Sequence, residues 1–112
     1  MMTYQRFLSL LCDVPDCASL EEYIFECGGA VPDDSAEEAV RLLTAIWDMA
    51  HDGLSIKSIA SACELPVRRI AITLDIPLRT VEDWAAGVRN PSPWQLPLIA
   101  YAVLSDRVTQ DG

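Results

Sequence analysis

Residues 66–93, with the sequence PVRRIAITLDIPLRTVEDWAAGVRNPSP, decide how we expect the chain to fold. Within this stretch Ile70, Ala71 and Leu74 recur at the spacing of one helical face. They predict a short helix from Pro66 to Leu74. Because the charged residues between them fall on the opposite side, this helix should bury one stripe and expose the other.

A tight turn and a second helix should follow. Asp75 and Ile76 would form the turn, since aspartate tolerates the left-handed conformation that such a corner needs. Pro77 has its φ angle preset for the first position of a helix. Gly87 stands where a left-handed C-cap belongs, so the second helix should run over about residues 77–86.

The second helix has two chemically different faces. Its buried side should hold Val81, Trp84 and Ala85, with the tryptophan in the core. The residues expected to face solvent are Arg79, Thr80, Glu82, Asp83 and Ala86. This outward row is the candidate functional surface.

These residues resemble the pattern of Cro-like, XRE-type helix-turn-helix proteins, and in particular a bacterial branch that carries IPLRTxxxW before a proline-rich stop. The residues that carry the likeness are Ile70-Ala71, Leu74-x-Ile76-Pro77, Arg79-Thr80-Val81, Trp84, Gly87, Arg89 and Pro91. The likeness covers roughly residues 53–104. It implies a transcriptional regulator, repressor-like, that inserts the helix at about 77–86 into the major groove of double-stranded DNA. Such proteins usually act as dimers, so the resemblance also implies a homodimer.

The resemblance assigns roles to side chains around the corner. Arg79 would donate two hydrogen bonds to guanine, and Asp83 would accept one from cytosine. Alternatively, Arg79 pairs with Asp83 or Glu82 on a solvated helix face. Leu78 would contact a thymine methyl group or join the core. The side chains expected to contact the phosphates of the DNA backbone are those of Thr80, Arg89 and Asn90.

A second register overlaps the first. Residues 59–70 and 70–81 match at a period of 11, with prolines at 66 and 77 in equivalent places. We take the later register as functional because only it is followed by Trp84, Gly87 and Pro91. In the earlier register, Val67 and the basic pair Arg68 and Arg69 would form the exposed head.

Charge is distributed unevenly along the chain. Of the net charge of −9, all falls in residues 1–52, whereas residues 53–112 hold six basic and six acidic residues. Residues 66–91 hold four arginines and three carboxylates, a net of +1. Because nonspecific DNA affinity depends on phosphate neutralisation, this argues against a general chromatin role. It also favours an alternative function: a protein-interaction module that binds a partner through acidic residues 1–52 and keeps the helix-turn-helix as a scaffold.

The chain shows no sign of catalytic or metal chemistry. Its four cysteines form no CxxC pair, and His51 has no partner at zinc-ligand spacing. The adjacent carboxylates lie at helix starts, where capping explains them. We therefore expect no enzyme and no cofactor, with free thiols in a reducing cytoplasm. No apolar run reaches the ~18 residues of a membrane span, and the start lacks a secretory leader.

The remaining elements should also be helical, which gives an all-α compact bundle of short helices. The expected helices are Thr3 to Leu11, Ser19 to Gly28-Gly29, the longest one from Ala36 to His51, and a last one from near Leu96 with a frayed tail after Ser105. The buried face of the longest helix should hold Val40, Leu43, Ile46, Trp47 and Ala50, and that of the last helix Leu98, Ile99, Ala102 and Val103. A loop at 31–34 would separate an acidic N-terminal subdomain, 1–34, from the helix-turn-helix domain, 35–112.

Overall fold

The computed structural model describes residues 2–28 and 35–111, with side chains up to residue 108. All regular secondary structure in these ranges is helical, as the sequence predicts. The α-helices are α1 (Tyr4–Asp13), α2 (Leu20–Cys27), α3 (Ala36–Ala50), α4 (Ile56–Ala62), α5 (Val67–Leu74), α6 (Leu78–Ala86) and α7 (Gln95–Asp111). The predicted loop at 31–34 lies outside the described residues.

Hydroxyl side chains cap the first four helices. The side chains of Thr3, Ser19, Ser35 and Ser55 each accept a hydrogen bond from a backbone N–H in the first turn. At α3 the cap is reciprocal, because the Glu38 carboxylate also accepts from the Ser35 N–H at 3.4 Å. At α2 the Glu22 carboxylate instead accepts from the Ala18 N–H at 2.7 Å. The predicted helix starts are confirmed to within one residue.

The buried face of α3 differs from the predicted one. Its fully buried side chains are Ala39, Leu42, Leu43, Ile46 and Met49, whereas Val40 is 42% exposed. α3 packs against three helices, α1, α2 and α4, which together determine the arc that is buried. The buried arc is therefore rotated by about one residue, which at ~100° per residue brings Val40 out to solvent.

The last helix is longer than predicted. α7 has 17 residues and α3 has 15, and α7 continues past Ser105 to Asp111. Pro97 lies in its first turn, where a missing N–H costs no intrahelical hydrogen bond. Val103 and Leu104 are buried in the core and anchor the later turns of α7. Of the predicted core residues, Ile99 and Val103 are buried, but Leu98 is exposed and Ala102 half-buried.

All seven helices contribute to one hydrophobic core. The N-terminal helices join it through aromatic contacts, with the Tyr4 and Phe7 rings 5.2 and 5.4 Å from the Tyr101 ring of α7. The Tyr23 hydroxyl, on α2, donates to the Leu10 carbonyl at 2.8 Å. Burial raises the pKa of this phenol. The radius of gyration, 13.7 Å, is close to the roughly 13 Å expected for a compact chain of this length.

Candidate nucleic-acid interface

The corner between α5 and α6 has the geometry that the sequence predicts. Asp75 adopts the left-handed conformation, with φ 54° and ψ 45°. The Ile76 N–H donates to the Ala71 carbonyl at 3.0 Å, which closes the end of α5. Pro77 then precedes the first helical residue, Leu78, instead of being that residue. The two helices are thus joined by a turn of three residues.

A second left-handed residue ends α6. Gly87 has φ 79°, as expected for its C-cap position. The N–H groups of Val88 and Arg89 both donate to the Asp83 carbonyl, at 3.0 and 3.3 Å. The chain therefore folds back over the last turn of α6, and Arg89 and Asn90 are exposed beside it.

The side chains of α6 divide between core and solvent largely as predicted. Val81 is fully buried, and Trp84 and Ala85 are half-buried against the core. Three of the residues predicted to face solvent do so, namely Arg79, Glu82 and Ala86. Thr80 and Asp83 are half-buried, because Thr80 borders Trp84 one turn away and the returning chain covers Asp83.

Arg79 is the cation at the start of this exposed face. Within residues 2–28 and 35–111, no carboxylate oxygen lies within 4 Å of its guanidinium, and the structure contains no ion pair with Glu82 or Asp83. The structure therefore does not show the alternative in which Arg79 forms an ion pair with a carboxylate of its own helix. An unpaired guanidinium keeps all five of its N–H donors for a ligand.

The two arginines of α5 differ. Arg68 is exposed. Arg69 is half-buried, with its guanidinium 3.9 Å from the Asp106 carboxylate on α7. The Thr73 hydroxyl, one turn along α5, also donates to Asp106 at 3.4 Å. Arg69 thus faces α7, and Asp106 offsets part of its charge.

The earlier register forms a corner of the same kind. Glu64 has φ 56°, and the Leu65 N–H donates to the Ala60 carbonyl at 2.9 Å. The structure therefore has a left-handed corner in each register, one between α4 and α5 and one between α5 and α6. Val67, the first helical residue after the earlier corner, is half-buried. Its outward cation is Arg68.

Apolar side chains also reach solvent near the later corner, and the sequence reasoning missed two of them. Leu78 is 39% exposed at the start of α6, Val88 is 72% exposed after its end, and Ile72 is 61% exposed on α5. Exposure of Ile72 follows from helical spacing, since it lies two residues from both buried Ile70 and half-buried Leu74. Exposure of Val88 follows from its place directly after a left-handed glycine.

Elsewhere the described residues offer little chemistry. A groove of about 460 Å³ lies between α3 and α7, with Leu42, Ala45 and Leu104 in its walls and charged residues among its lining. The described part of the chain has no cluster of three histidines, cysteines or carboxylates able to hold a metal ion. It also has no helix with both the length and the apolar character to cross a bilayer. The four cysteines are free thiols.

Comparison with known protein families, with curated proteins and with solved structures finds no match to this chain. The feature with the clearest chemical capability is the exposed face of α6, where Arg79 presents unpaired donors beside Glu82. Arg68 and Arg89 add positive charge on the neighbouring helix and loop.

Proposed function

We propose that this chain is a sequence-specific DNA-binding transcriptional regulator, repressor-like, built on an XRE-type helix-turn-helix in which α6 enters the major groove. The single observation that supports it most is the state of Arg79, which is exposed on α6 with no carboxylate oxygen of the described residues within 4 Å of its guanidinium. The helix itself packs mainly on α4 and α5. The acidic N-terminal helices leave its outer face accessible.

The dimensions of α6 suit this role. Nine residues give a length of about 13 Å at ~1.5 Å per residue. An α-helix with its side chains is ~10–12 Å across, and the major groove of B-DNA is ~12 Å wide. At ~3.4 Å per base pair, such a helix spans about four base pairs.

Each candidate residue has a role that follows from its position. Arg79 reads guanine through two hydrogen bonds, and Asp83 accepts from a cytosine amino group one turn later. Leu78, partly exposed beside Arg79, contacts a thymine methyl group. Backbone phosphates are held by Arg68, Arg69, Thr80, Arg89 and Asn90, with the contribution of Arg69 reduced by Asp106.

Charge predicts modest affinity for random DNA. The segment 66–91 has a net charge of only +1, while the whole chain carries −9. Because counterion release from phosphate contacts supplies most nonspecific binding, this chain should depend on base contacts more than a basic protein does. Four base pairs per copy specify little sequence, so the proposal includes a homodimer on two half-sites about one helical turn apart. Such a regulator would act in the bacterial cytoplasm, where thiols stay reduced.

A second candidate function is a protein-interaction module. The observation that favours it is Phe25, 86% exposed on α2 among carboxylates. Aromatic side chains supply much of the contact area at protein interfaces, and the exposed ring of Phe25 is available for such a contact. In this alternative α5 and α6 serve as scaffold, and duplex DNA does not bind.

The experiment that separates the two candidates is a titration of labelled duplexes, including the DNA upstream of the protein's own gene, at several salt concentrations. The regulator should bind one duplex well above random sequence. Its affinity should fall with salt with a slope of roughly −4 to −5, as expected for a homodimer with two or three phosphate contacts in each copy. Absence of binding to every duplex at low salt would favour the interaction module.

A further inference from the structure

The outer face of α2 lacks a partner within the described part of the chain. It carries Glu21, Glu22 and Glu26, all exposed, around the 86% exposed ring of Phe25. On a helix Glu21 and Glu22 fall on either side of Phe25, at four and three residues' distance. We call this the Phe25 face. An exposed ring flanked by carboxylates needs a ligand surface that is both apolar and cationic.

The sequence supplies no cation for this face from nearby. Nine acidic residues and no lysine or arginine stand between Arg6 and Arg41. In residues 2–28 and 35–111, no lysine, arginine or histidine nitrogen lies within 4 Å of the carboxylates of the Phe25 face. The charge of this face is therefore unbalanced within one copy.

A complementary surface exists on the same chain. Arg68, Arg79 and Arg89 are exposed without ion pairs within the described residues, and the apolar side chains Leu78 and Val88 adjoin two of them. We call these five residues the arginine face. These residues lie on α5, at the start of α6 and in the loop after it, and the same segment also exposes the carboxylates Asp75 and Glu82. Its net charge over residues 66–91 is therefore +1, a small positive excess next to exposed aliphatic side chains.

The two faces belong to helices with different packing partners. α2 packs on α3, whereas α6 packs on α4 and α5. Both Phe25 and Arg79 stay exposed, so one copy does not cover its own faces. Complementary charge meeting around an apolar centre favours contact between copies.

We propose that the Phe25 face of one copy binds the arginine face of a second copy, head to tail. The contact leaves a free face on each end, so further copies can add. It also occludes Arg79, so self-association and DNA binding exclude each other. This competition rests on the proposed function; the association itself does not.

Each copy carries a net charge of −9, so two copies repel each other at long range and the association is weak. Long-range repulsion between the copies is screened beyond ~8 Å at physiological salt. Contacts between adjacent groups persist there. Physiological salt is therefore the condition for the test.

The test is sedimentation equilibrium without DNA, up to about 1 mM protein. The wild type should rise above the mass of one chain, 12.3 kDa, as its concentration increases. Phe25→Ala, Glu21→Arg and Arg79→Glu should each stay at that mass. A mixture of Phe25→Ala with Arg79→Glu should give a complex of two chains and no larger species, because one variant keeps an intact arginine face and the other an intact Phe25 face.

Leu98→Ala, an exposed apolar residue outside both faces, is the matched control and should associate like the wild type. Glu26→Arg is a second acidic-face variant in case Glu21→Arg unfolds, and far-UV circular dichroism reports folding. A wild type that stays monomeric overturns the proposal. So does an Arg79→Glu variant that dimerises alone, which would indicate contact between two Phe25 faces, or a mixture that forms no complex.

The outcome is separable from that of the proposed function. A chain that self-associates as described but binds no duplex keeps this interface and loses the regulator. A chain that binds duplex as a homodimer but stays monomeric without DNA loses this interface and keeps the regulator. If both hold, Phe25→Ala should leave duplex affinity unchanged at low protein concentration and abolish the loss of DNA binding that the wild type shows near 1 mM.

Discussion

Glu64 and Asp75, eleven residues apart, occupy the same left-handed backbone conformation, with φ angles of 56° and 54°. Each ends a helix, and the residue after each donates its N–H to a carbonyl five residues back, at 2.9 and 3.0 Å. The repeat in the sequence is therefore a repeat in backbone geometry. Two equivalent corners place α4, α5 and α6 in succession, and the second corner presents Arg79.

Asp75→Val tests the left-handed corner. A β-branched residue is strained in this conformation, so the variant should lose about 1–2 kcal/mol in the free energy of unfolding. Asp75→Asn, which tolerates the conformation, is the control and should stay within about 0.5 kcal/mol of the wild type. Urea denaturation measures both. Equal stability of the two variants would mean that residue 75 is not left-handed in solution.

The corner and α6 could be predicted from sequence because their signals are local. Asp75, Pro77 and Gly87 each constrain their own backbone, and Val81 and Trp84 mark the packed side. The starts of α2 and α3 could be predicted for the same reason, because Ser19 and Ser35 cap these helices with their own side chains.

Features that depend on tertiary packing could not be predicted. Periodicity alone predicts Val40 in the core, but α3 packs against α1, α2 and α4, and the arc that they bury leaves Val40 exposed. The polar residues after Ser105 predicted a frayed tail, whereas buried Val103 and Leu104 and the ion pair of Asp106 with Arg69 continue α7. That same pair decides which α5 arginine is free, and sequence spacing carries no sign of it.

Ile70 and Ile72 lie two residues apart on α5 with opposite environments, one fully buried and the other 61% exposed. Ile70→Ala removes a core side chain and should cost about 2–5 kcal/mol. Ile72→Ala should cost no more than about 0.5 kcal/mol. Chemical denaturation of the two variants checks the orientation of α5. If Ile72→Ala lowered stability more than Ile70→Ala, α5 would have to be rotated relative to the core, and Arg68 would no longer belong to the arginine face.

Stability should fall in alkaline solution. Burial raises the pKa of the Cys63 thiol from 9.0 to about 11, so above pH 9 the unfolded chain loses a proton that the folded chain retains. The resulting loss of folding free energy should be about 1 kcal/mol between pH 8 and about pH 10. The loss of stability should continue until the pH exceeds the pKa of the Cys63 thiol in the folded chain.

Urea denaturation across this pH range measures the loss, with Cys63→Ala as the test variant and Cys12→Ala, at an exposed position, as its control. Cys63→Ala should lessen the pH dependence even though it lowers stability overall. Tyr23, whose pKa is also raised by burial, contributes equally in both variants. An unchanged pH slope in Cys63→Ala would contradict the assignment.

Arg68 and Arg69 should differ in their contributions to duplex binding. Arg68→Ala should weaken all duplexes and reduce the slope of log affinity against log salt by about 0.9 for each bound copy. Arg69→Ala should reduce that slope by less, because Asp106 already offsets its charge, and should lower stability by at most about 1 kcal/mol. Salt titrations of both variants against one duplex make the comparison. A larger change of slope for Arg69 would contradict the orientation in which Arg69 faces α7 and Asp106 offsets its charge.

The most direct test of the account is the base preference of Arg79→Ala. Duplexes enriched by the wild type from a random pool are titrated with wild type, Arg79→Ala and the control Arg89→Ala. The account predicts that Arg79→Ala loses about 1–3 kcal/mol on the enriched duplex and changes preference at one guanine, whereas Arg89→Ala weakens enriched and random duplexes alike. An Arg79→Ala protein with wild-type affinity and preference, or a wild type that enriches no duplex, would contradict the proposal that α6 reads DNA.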